Sequence, residues 1–502
     1  MGFVFDQKPV DTTANAVPVL TNWTPAIGYM VWRSNSIAAY FYYQLVLEVR
    51  KDDASGTLFA KLKQRRNGHK IDVTNNYART FFNLREIINT QIVDTDFNSN
   101  YSSNPKRKAI HLVGEDFDGG ATVKIFSNSG DQILEKPQII KIYVKGYENY
   151  SGAANTSPID QTGDAINDTM WWYGASFPLE QVRYEGSAYI QSNHFKFWTA
   201  SFGATDFFLS DLVATTGSVV SGSVLRNYVQ STDYHTVGFF NDYATFSSNV
   251  KYIEIVYYNS AGGVIGKKQY IENSATNGGL VPNGSHTDYT RILYFGCGPA
   301  NLEASNVVAT DEDGGSGAGQ AQPSNFSGYA YYSLRGCIDT TPTGTDYITL
   351  PYYFILEDGS CKGFKVRRLA WVNSKGGWDY FNFKMKSTES IDINRDNYAT
   401  VLGLYGGEKY GYSNTQRGKK TRRVTATRKE ILNTDWISED QAILLQNLFM
   451  SKNVNVVQNA DTDYNFSVII TDTSFVKKTV ANDKMIQYTI NIEYANPVNT
   501  NS

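Results

Sequence analysis

Apolar and polar positions alternate along this chain in short runs, the pattern of half-buried β-strands. The stretch YFYYQLVLEVR, Tyr40–Arg50, is apolar on both faces at first and then alternates, as a central sandwich strand does. Similar runs at Tyr29–Trp32, Leu58–Gln64, Thr122–Phe126 and Ile139–Lys145 predict an N-terminal β-sandwich-like domain over residues 1–150. One short helix interrupts it. Asn83 stands in the cap position with Glu86 three residues on, and Leu84, Ile87 and Ile88 fall on one face.

Residues 148–168 are rich in Gly, Ala, Asn, Ser, Thr and Asp and read as a linker or long exposed loop. They open a middle β-domain over 151–310. There KYIEIVYYN (251–259) and residues 266–272 flank Ser260-Ala261-Gly262-Gly263, a Gly-rich hairpin signal. DEDGGSGAGQAQPSNFSG, residues 311–328, is the strongest low-complexity segment and predicts a mobile loop or tether. A hairpin-rich domain then spans 329–404, and a C-terminal α+β domain of oligomerisation type spans 405–502. In the latter, Ser438 as N-cap, Gln441, and Leu444, Leu445, Leu448 and Phe449 on one face predict a helix. Strand-like runs follow at Val454–Val457, Asn465–Thr471 and Met485–Tyr494. The whole is all-β dominated: several antiparallel sandwich-like domains, a few short helices, and a closing sheet with a helix.

Composition agrees with this pattern. Of 502 residues, 35 are Tyr and 27 Phe, types that favour strands. A net charge of -3 gives no global pull toward nucleic acid or an anionic membrane. Cys297, Cys337 and Cys361 are odd in number and widely spaced, which fits buried thiols rather than a disulfide framework or a zinc site. The first twenty residues lack a basic region followed by an apolar core, and no run reaches the length of a membrane span. The expectation is a protein made and folded in a cytoplasm.

The search for chemistry yields little. His69, His111, His194, His235 and His286 stand alone, and a surface or interface role is expected for them. Ala261–Lys268, AGGVIGKK, has Ala where a phosphate loop begins with Gly, and Lys268 where Ser or Thr is needed, so it reads as a hairpin turn. Asp311-Glu312-Asp313, and Glu115, Asp116 and Asp118, precede Gly pairs but lack the remaining oxygen ligands of a calcium loop. No carboxylate pair stands out for glycoside hydrolysis. No catalytic residue, metal site or cofactor is therefore assigned.

Three features remain. The run RGKKTRRVTATRK carries Arg417, Lys419, Lys420, Arg422, Arg423, Arg428 and Lys429. It lacks interleaved aromatics, so a subunit interface with an acidic neighbour is favoured over a nucleic-acid site. Trp171, Trp172 and Tyr173 are candidate interface or glycan-stacking aromatics, core packing being the plainer reading. In RLAWVNSKGGWDYFNF, Trp371, Asn373, Gly376, Gly377 and Trp378 form a hairpin signature, with Lys375 at an exposed tip.

Three stretches resemble virion structural proteins of tailed bacteriophages, in particular tail and head-to-tail components of podovirus-like and crAss-like phages. They are residues 43–88, with their strand, basic turn and helix; residues 364–390, similar to the Trp/Leu-x-Asn-x-x-Gly-Gly-x-Asp-x-Phe pattern of such proteins; and residues 436–457 with 468–496. The resemblance implies a non-enzymatic structural subunit, a ring, hub or adaptor of the tail, assembled in the host cytoplasm into a homo-oligomeric ring with other tail proteins. The alternatives are a tail protein that binds a receptor or host surface glycan and, with less support, a tail-associated depolymerase.

Overall fold

The computed structural model describes residues 3–7, 19–21, 28–33, 41–51, 53–65, 78–91, 139–173, 182–185, 188–191, 208, 210, 227–240, 250–272, 292–303, 305, 307–357, 363–373, 377–401, 403–406, 409–411, 415, 418–457, 466–476, 485–496 and 498. These are mostly strand, and the fold is all-β dominated. The chain divides into two units rather than four domains with a tether. The first holds residues 1–357 and 373–379, the second 358–372 and 380–502.

In the first unit the elements are β1 (Phe3–Gln7), β2 (Val19–Thr21), β3 (Gly28–Arg33), β4 (Phe41–Lys51), β5 (Leu58–Arg65), β6 (Ala78–Asn83), α1 (Arg85–Asn89), β7 (Ile139–Ser151) and β8 (Ile159–Tyr173). Then come β9 (Val182–Glu185), β10 (Ala188–Gln191), β11 (Asn227–Val229), β12 (Thr236–Phe240), β13 (Tyr252–Tyr258), β14 (Val264–Glu272), β15 (Ile292–Gly296), α2 (Pro299–Leu302), β16 (Val308–Asp311), β17 (Ser316–Ala318), β18 (Tyr331–Cys337) and β19 (Tyr352–Leu356). One sheet has the order β2-β8-β7-β4-β5. Leu45, Leu47 and Val49 of β4 and Ile142 and Val144 of β7 form a core with Phe82, Leu84 and Ile88; Val46 and Glu48 on the other face are buried too, so β4 is covered on both faces where its pattern alternates. The helix starts one residue later than the cap pattern suggests. Leu84 is its N-cap, while the Asn83 side chain accepts from the Arg85 N–H at 3.0 Å.

The second large sheet of this unit runs β11-β19-β18-β13-β14-β16-β17, with only β11 and β19 parallel. Its tyrosines form ring ladders: Tyr257 stacks on Phe326 at 4.1 Å, Tyr258 on Tyr331 at 4.8 Å, and Tyr332 on Phe354 at 5.0 Å. Tyr257, Tyr331 and Tyr332 are thus core, where each ring adds apolar area, and the hydroxyls of Tyr257 and Tyr332 donate to the Ala321 and Cys297 carbonyls, each at 2.8 Å.

Several expectations are corrected here. Residues 148–168 are not a linker but the β7–β8 hairpin, so a boundary at 150 would cut a strand pair. Residues 311–328 are not a tether either. They form the β16–β17 turn and a 3-10 turn at Pro323–Asn325. The Asp311 carboxylate accepts from the N–H groups of Asp313 (2.9 Å) and Gly315 (2.8 Å), from Lys267 (3.2 Å) and from Gln320 (3.1 Å). Backbone hydrogen bonding from Gly315 leads the effects that hold this carboxyl below its usual range. Composition signals only a lack of apolar area; here one carboxylate and the buried Phe326 ring supply what the segment needs to order. A boundary at 328 also fails, because β18 pairs with β13 across it.

In the second unit lie β20 (Arg367–Val372), most of β21 (Trp378–Phe383), β22 (Thr388–Ala399), β23 (Leu404–Gly406), β24 (Lys409–Gly411), β25 (Lys419–Asn433), β26 (Ile437–Ser438), α3 (Glu439–Met450), β27 (Val454–Val457), β28 (Phe466–Ile470), β29 (Met485–Ile486) and β30 (Thr489–Tyr494). The main sheet runs β21-β20-β27-β28-β30-β25-β22. Residue 405 is thus no boundary, since β22 and β25 pair across it. The predicted helix forms as α3. Its Gln441 N–H donates to the Ser438 hydroxyl at 3.3 Å and the Gln441 side chain accepts from the Ser438 N–H at 3.2 Å. Leu444, Leu445 and Leu448 are buried, while Phe449 meets the Phe475 ring at 5.0 Å. The expected run Met485–Tyr494 breaks into β29 and β30. The strand expected at Thr122–Phe126 lies outside the described residues.

Candidate interaction surface

The basic run begins one strand of a long antiparallel ribbon. β22 and β25 pair from Thr388↔Ile431 to Ala399↔Lys419, and Thr400 extends the ladder by donating to the Gly418 carbonyl at 2.9 Å. On its other side β25 is covered, among the described residues, only at its C-terminal end. β30 pairs with Lys429–Asn433, and Val498 donates to the Ala426 carbonyl at 3.0 Å. Beyond Ala426, among the described residues, two strands stand alone. Every residue of β22 is exposed, as are Lys419, Lys420, Thr421, Arg422 and Arg423. A second hairpin, β23–β24, lies between the two strands in sequence. Gly403, with φ of 106°, leads into it, and a Cβ there would strike the Tyr410 ring at 2.2 Å.

This geometry splits the seven cations. Arg428 and Lys429 belong to the root. Arg428 donates to Glu389 at 2.8 Å and lies 4.1 Å from the centre of the Tyr494 ring; Lys429 pairs with Asp392 at 2.7 Å and Glu493 at 3.7 Å. Hydrogen bonding to Asp392 leads the effects that raise the Lys429 amine above its usual value. Beneath them Glu430, fully buried, accepts from Arg367 at 2.6 Å and from the Tyr494 hydroxyl at 2.8 Å. Burial, then that hydrogen bond, pushes the Tyr494 phenol upward. These two cations are therefore engaged within the root of the ribbon, unlike those nearer its tip.

Lys419, Lys420, Arg422 and Arg423 have no carboxylate within ion-pair distance among the described residues. The register places Arg423 and Lys420, opposite Asp396 and Tyr398, on one face and Lys419 on the other. Arg422 is the extra residue of a β-bulge, a device that re-aims side chains at sheet edges. Ile391 and Ile393, about half exposed, share a face of β22 next to Val424 and Ala426. Sequence reasoning missed them, although ESIDIN alternates with period two. Arg417 lies outside the described residues.

The other candidates divide as follows. Trp371, Asn373, Gly377 and Trp378 are buried, and the Gly377 N–H donates to the Asn373 side chain at 3.0 Å, so the hairpin signature serves packing. Lys375 and Gly376 lie outside the described residues. Trp171, Trp172 and Tyr173 sit on β8 with backbone partners on both sides, β2 and β7; their side chains are outside the described set. His235 is buried against the Phe354 ring at 5.0 Å rather than at a surface, and the other four histidines are outside the described residues. Cys297 and Cys337 are buried thiols outside any disulfide, and burial pushes the Cys337 thiol upward; Cys361, Glu115, Asp116 and Asp118 lie outside the described residues. Ala261–Lys268 does begin a hairpin, with the Asn259 side chain accepting from the Gly263 N–H at 2.9 Å.

Elsewhere in the first unit, Glu48, Lys61, Tyr147, Asn149 and Asp160 form a polar network. Tyr147 donates to Glu48 at 2.6 Å and Lys61 pairs with Asp160 at 2.6 Å. Burial acts to raise the Glu48 carboxyl, but hydrogen bonds from Tyr147 and Arg50 outweigh it and hold the group low. Burial and the bond to Glu48 push Tyr147 up to about 12. Apart from the Asn149 Oδ1, which has no partner among the described residues, these groups satisfy one another, as a structural network does. An open groove lies at one end of the same sheet, lined by Tyr42, Tyr43, Gln44 and residues 155–158. Tyr42 is exposed, has φ of 56° and donates to the Ala154 carbonyl at 2.9 Å. Among the described residues no group of His, Cys, Asp or Glu could hold a metal ion, and no helix is long and apolar enough to cross a membrane. No protein-family model and no curated protein matches the chain.

Proposed function

We propose that this chain is a structural, non-enzymatic subunit that acts by self-association and partner docking in a bacteriophage tail, as a ring, hub or adaptor. The observation that carries the assembly reading is the exposed ribbon of β22 and β25, which sets unpaired cations and exposed apolar side chains outside the sheet that anchors it. Long exposed ribbons without a function are a liability that proteins blunt, and this one is long, with alternating polar and apolar positions. The phage assignment rests on the resemblance in residues 43–88, 364–390, 436–457 and 468–496. Sedimentation of the purified chain tests assembly, with a ring-sized or larger species expected; mass spectrometry of purified virions tests the location. A chain that stays monomeric, alone or with tail extracts, and is missing from virions overturns the proposal.

A second reading, glycan binding, draws on the groove at Tyr42. There an exposed ring held at positive φ lies beside amide and hydroxyl side chains, a combination suited to a sugar. Glycan-array binding lost in Tyr42→Ala would favour it.

A further inference from the structure

We infer that the basic ribbon of one copy docks on the acidic first unit of a second copy, so that the chain assembles head to tail. The inference rests on the assembly reading above and names its contact. Charge is divided between the two units: 27 Lys and Arg against 35 Asp and Glu in the first, 19 against 14 in the second. The chain's modest -3 therefore hides -8 on one unit and +5 on the other. Within the second unit the excess is concentrated further. Residues 394–423, the end of the ribbon and the hairpin between its strands, hold seven Lys and Arg against two Asp and Glu, which accounts for all of the +5.

The structure gives that charge a form. Lys419, Lys420, Arg422 and Arg423 are exposed and unpaired among the described residues, whereas Arg428 and Lys429 are used at the root. Ile391 and Ile393 add an exposed apolar stripe nearer the root, on the face that carries Lys419 and opposite the face of Lys420 and Arg423. Such a stripe contributes when buried against protein and little against a phosphate backbone, which favours a protein partner. Because the ribbon and the acidic unit are different surfaces, the contact is heterologous, the type that closes into a ring or continues as a filament.

The test uses the full chain and K419E/K420E/R422E/R423E, followed by sedimentation velocity at roughly 50 mM and roughly 500 mM salt. Wild type is expected to associate at low salt and to weaken about tenfold or more at high salt. The variant, with an unchanged melting curve, should self-associate at least about a hundredfold more weakly. It keeps its acidic unit, so adding it to wild type should shorten the assemblies by capping, which an unfolded variant would not do. R422Q/R423Q should fall between the two. Equal assembly by wild type and both variants overturns the ribbon contact while leaving self-association standing. A wild type that stays monomeric in every condition overturns the assembly reading itself. Binding of a short DNA duplex that the variant loses, with self-association intact, overturns the protein partner in favour of nucleic acid.

Discussion

The hairpin β13–β14 and the ribbon β22–β25 use the same antiparallel pairing and meet opposite conditions. β13 lies between β14 and β18, and its five central residues are buried; β22 has, among the described residues, a strand neighbour on one side alone, and all twelve of its residues are exposed. The sequences match these environments. YIEIVYY is bulky and apolar on both faces, while TESIDINRDNYA is polar apart from two isoleucines, a tyrosine and an alanine. What separates them is the number of flanking strands, and hence how much apolar area each residue can remove from water.

Four experiments would break or sharpen this contrast. Tyr257→Ala in β13 removes a fully buried ring from contact with Phe326 and Tyr332 and deletes the bond to Ala321. It should cost about 3–5 kcal/mol, read from denaturant midpoints. Glu430→Gln, at the root of the ribbon, leaves the Arg367 guanidinium without its buried carboxylate and should cost about 3 kcal/mol. A cost near zero would mean the root is as open as the tip.

The third experiment varies pH. The Glu48 carboxyl is held below its ordinary value of 4.5, so its contribution is present above that pH and is lost as pH falls through the folded-state value. Tyr147 is raised from 10.0 to about 12, so its contribution is present below pH 10 and is lost as pH rises toward 12. Glu48→Gln should flatten the acid limb of the stability profile and Tyr147→Phe the alkaline limb. Smallest of all, Ile391→Thr and Ile393→Thr should each change stability by less than about 0.5 kcal/mol, because neither side chain is buried. A loss like that of Tyr257→Ala would show that the ribbon is packed.

Much of the strand content could be read from the sequence, because β4, β13 and β20 carry their environment in their patterns. The helix α3 was legible for a different reason: Ser438 and Gln441 make a local, reciprocal pair of bonds. Residues 311–328 misled because a carboxylate that organises a turn looks, in composition, like any solvated acid. The ribbon was half legible. Its charges stand out, but the split between root and tip depends on β30 and Val498, which reach β25 from more than fifty residues downstream. No local pattern encodes which cations a distant strand will cover. β22 escaped notice because Asp, Asn, Ser and Arg carry little strand preference of their own.

β30 has one further consequence. It follows every other strand of its sheet in sequence, yet it lies inside that sheet, between β28 and β25. During synthesis β21, β20, β27 and β28 can pair before it emerges, as can β22 with β25, but the two halves stay unjoined until Thr489–Tyr494 arrives. In that interval β28 and β25 each present an open strand edge, a template for pairing with another chain. The exposed interval on the ribosome, rather than the stability of the finished sheet, is where aggregation of this protein should be decided.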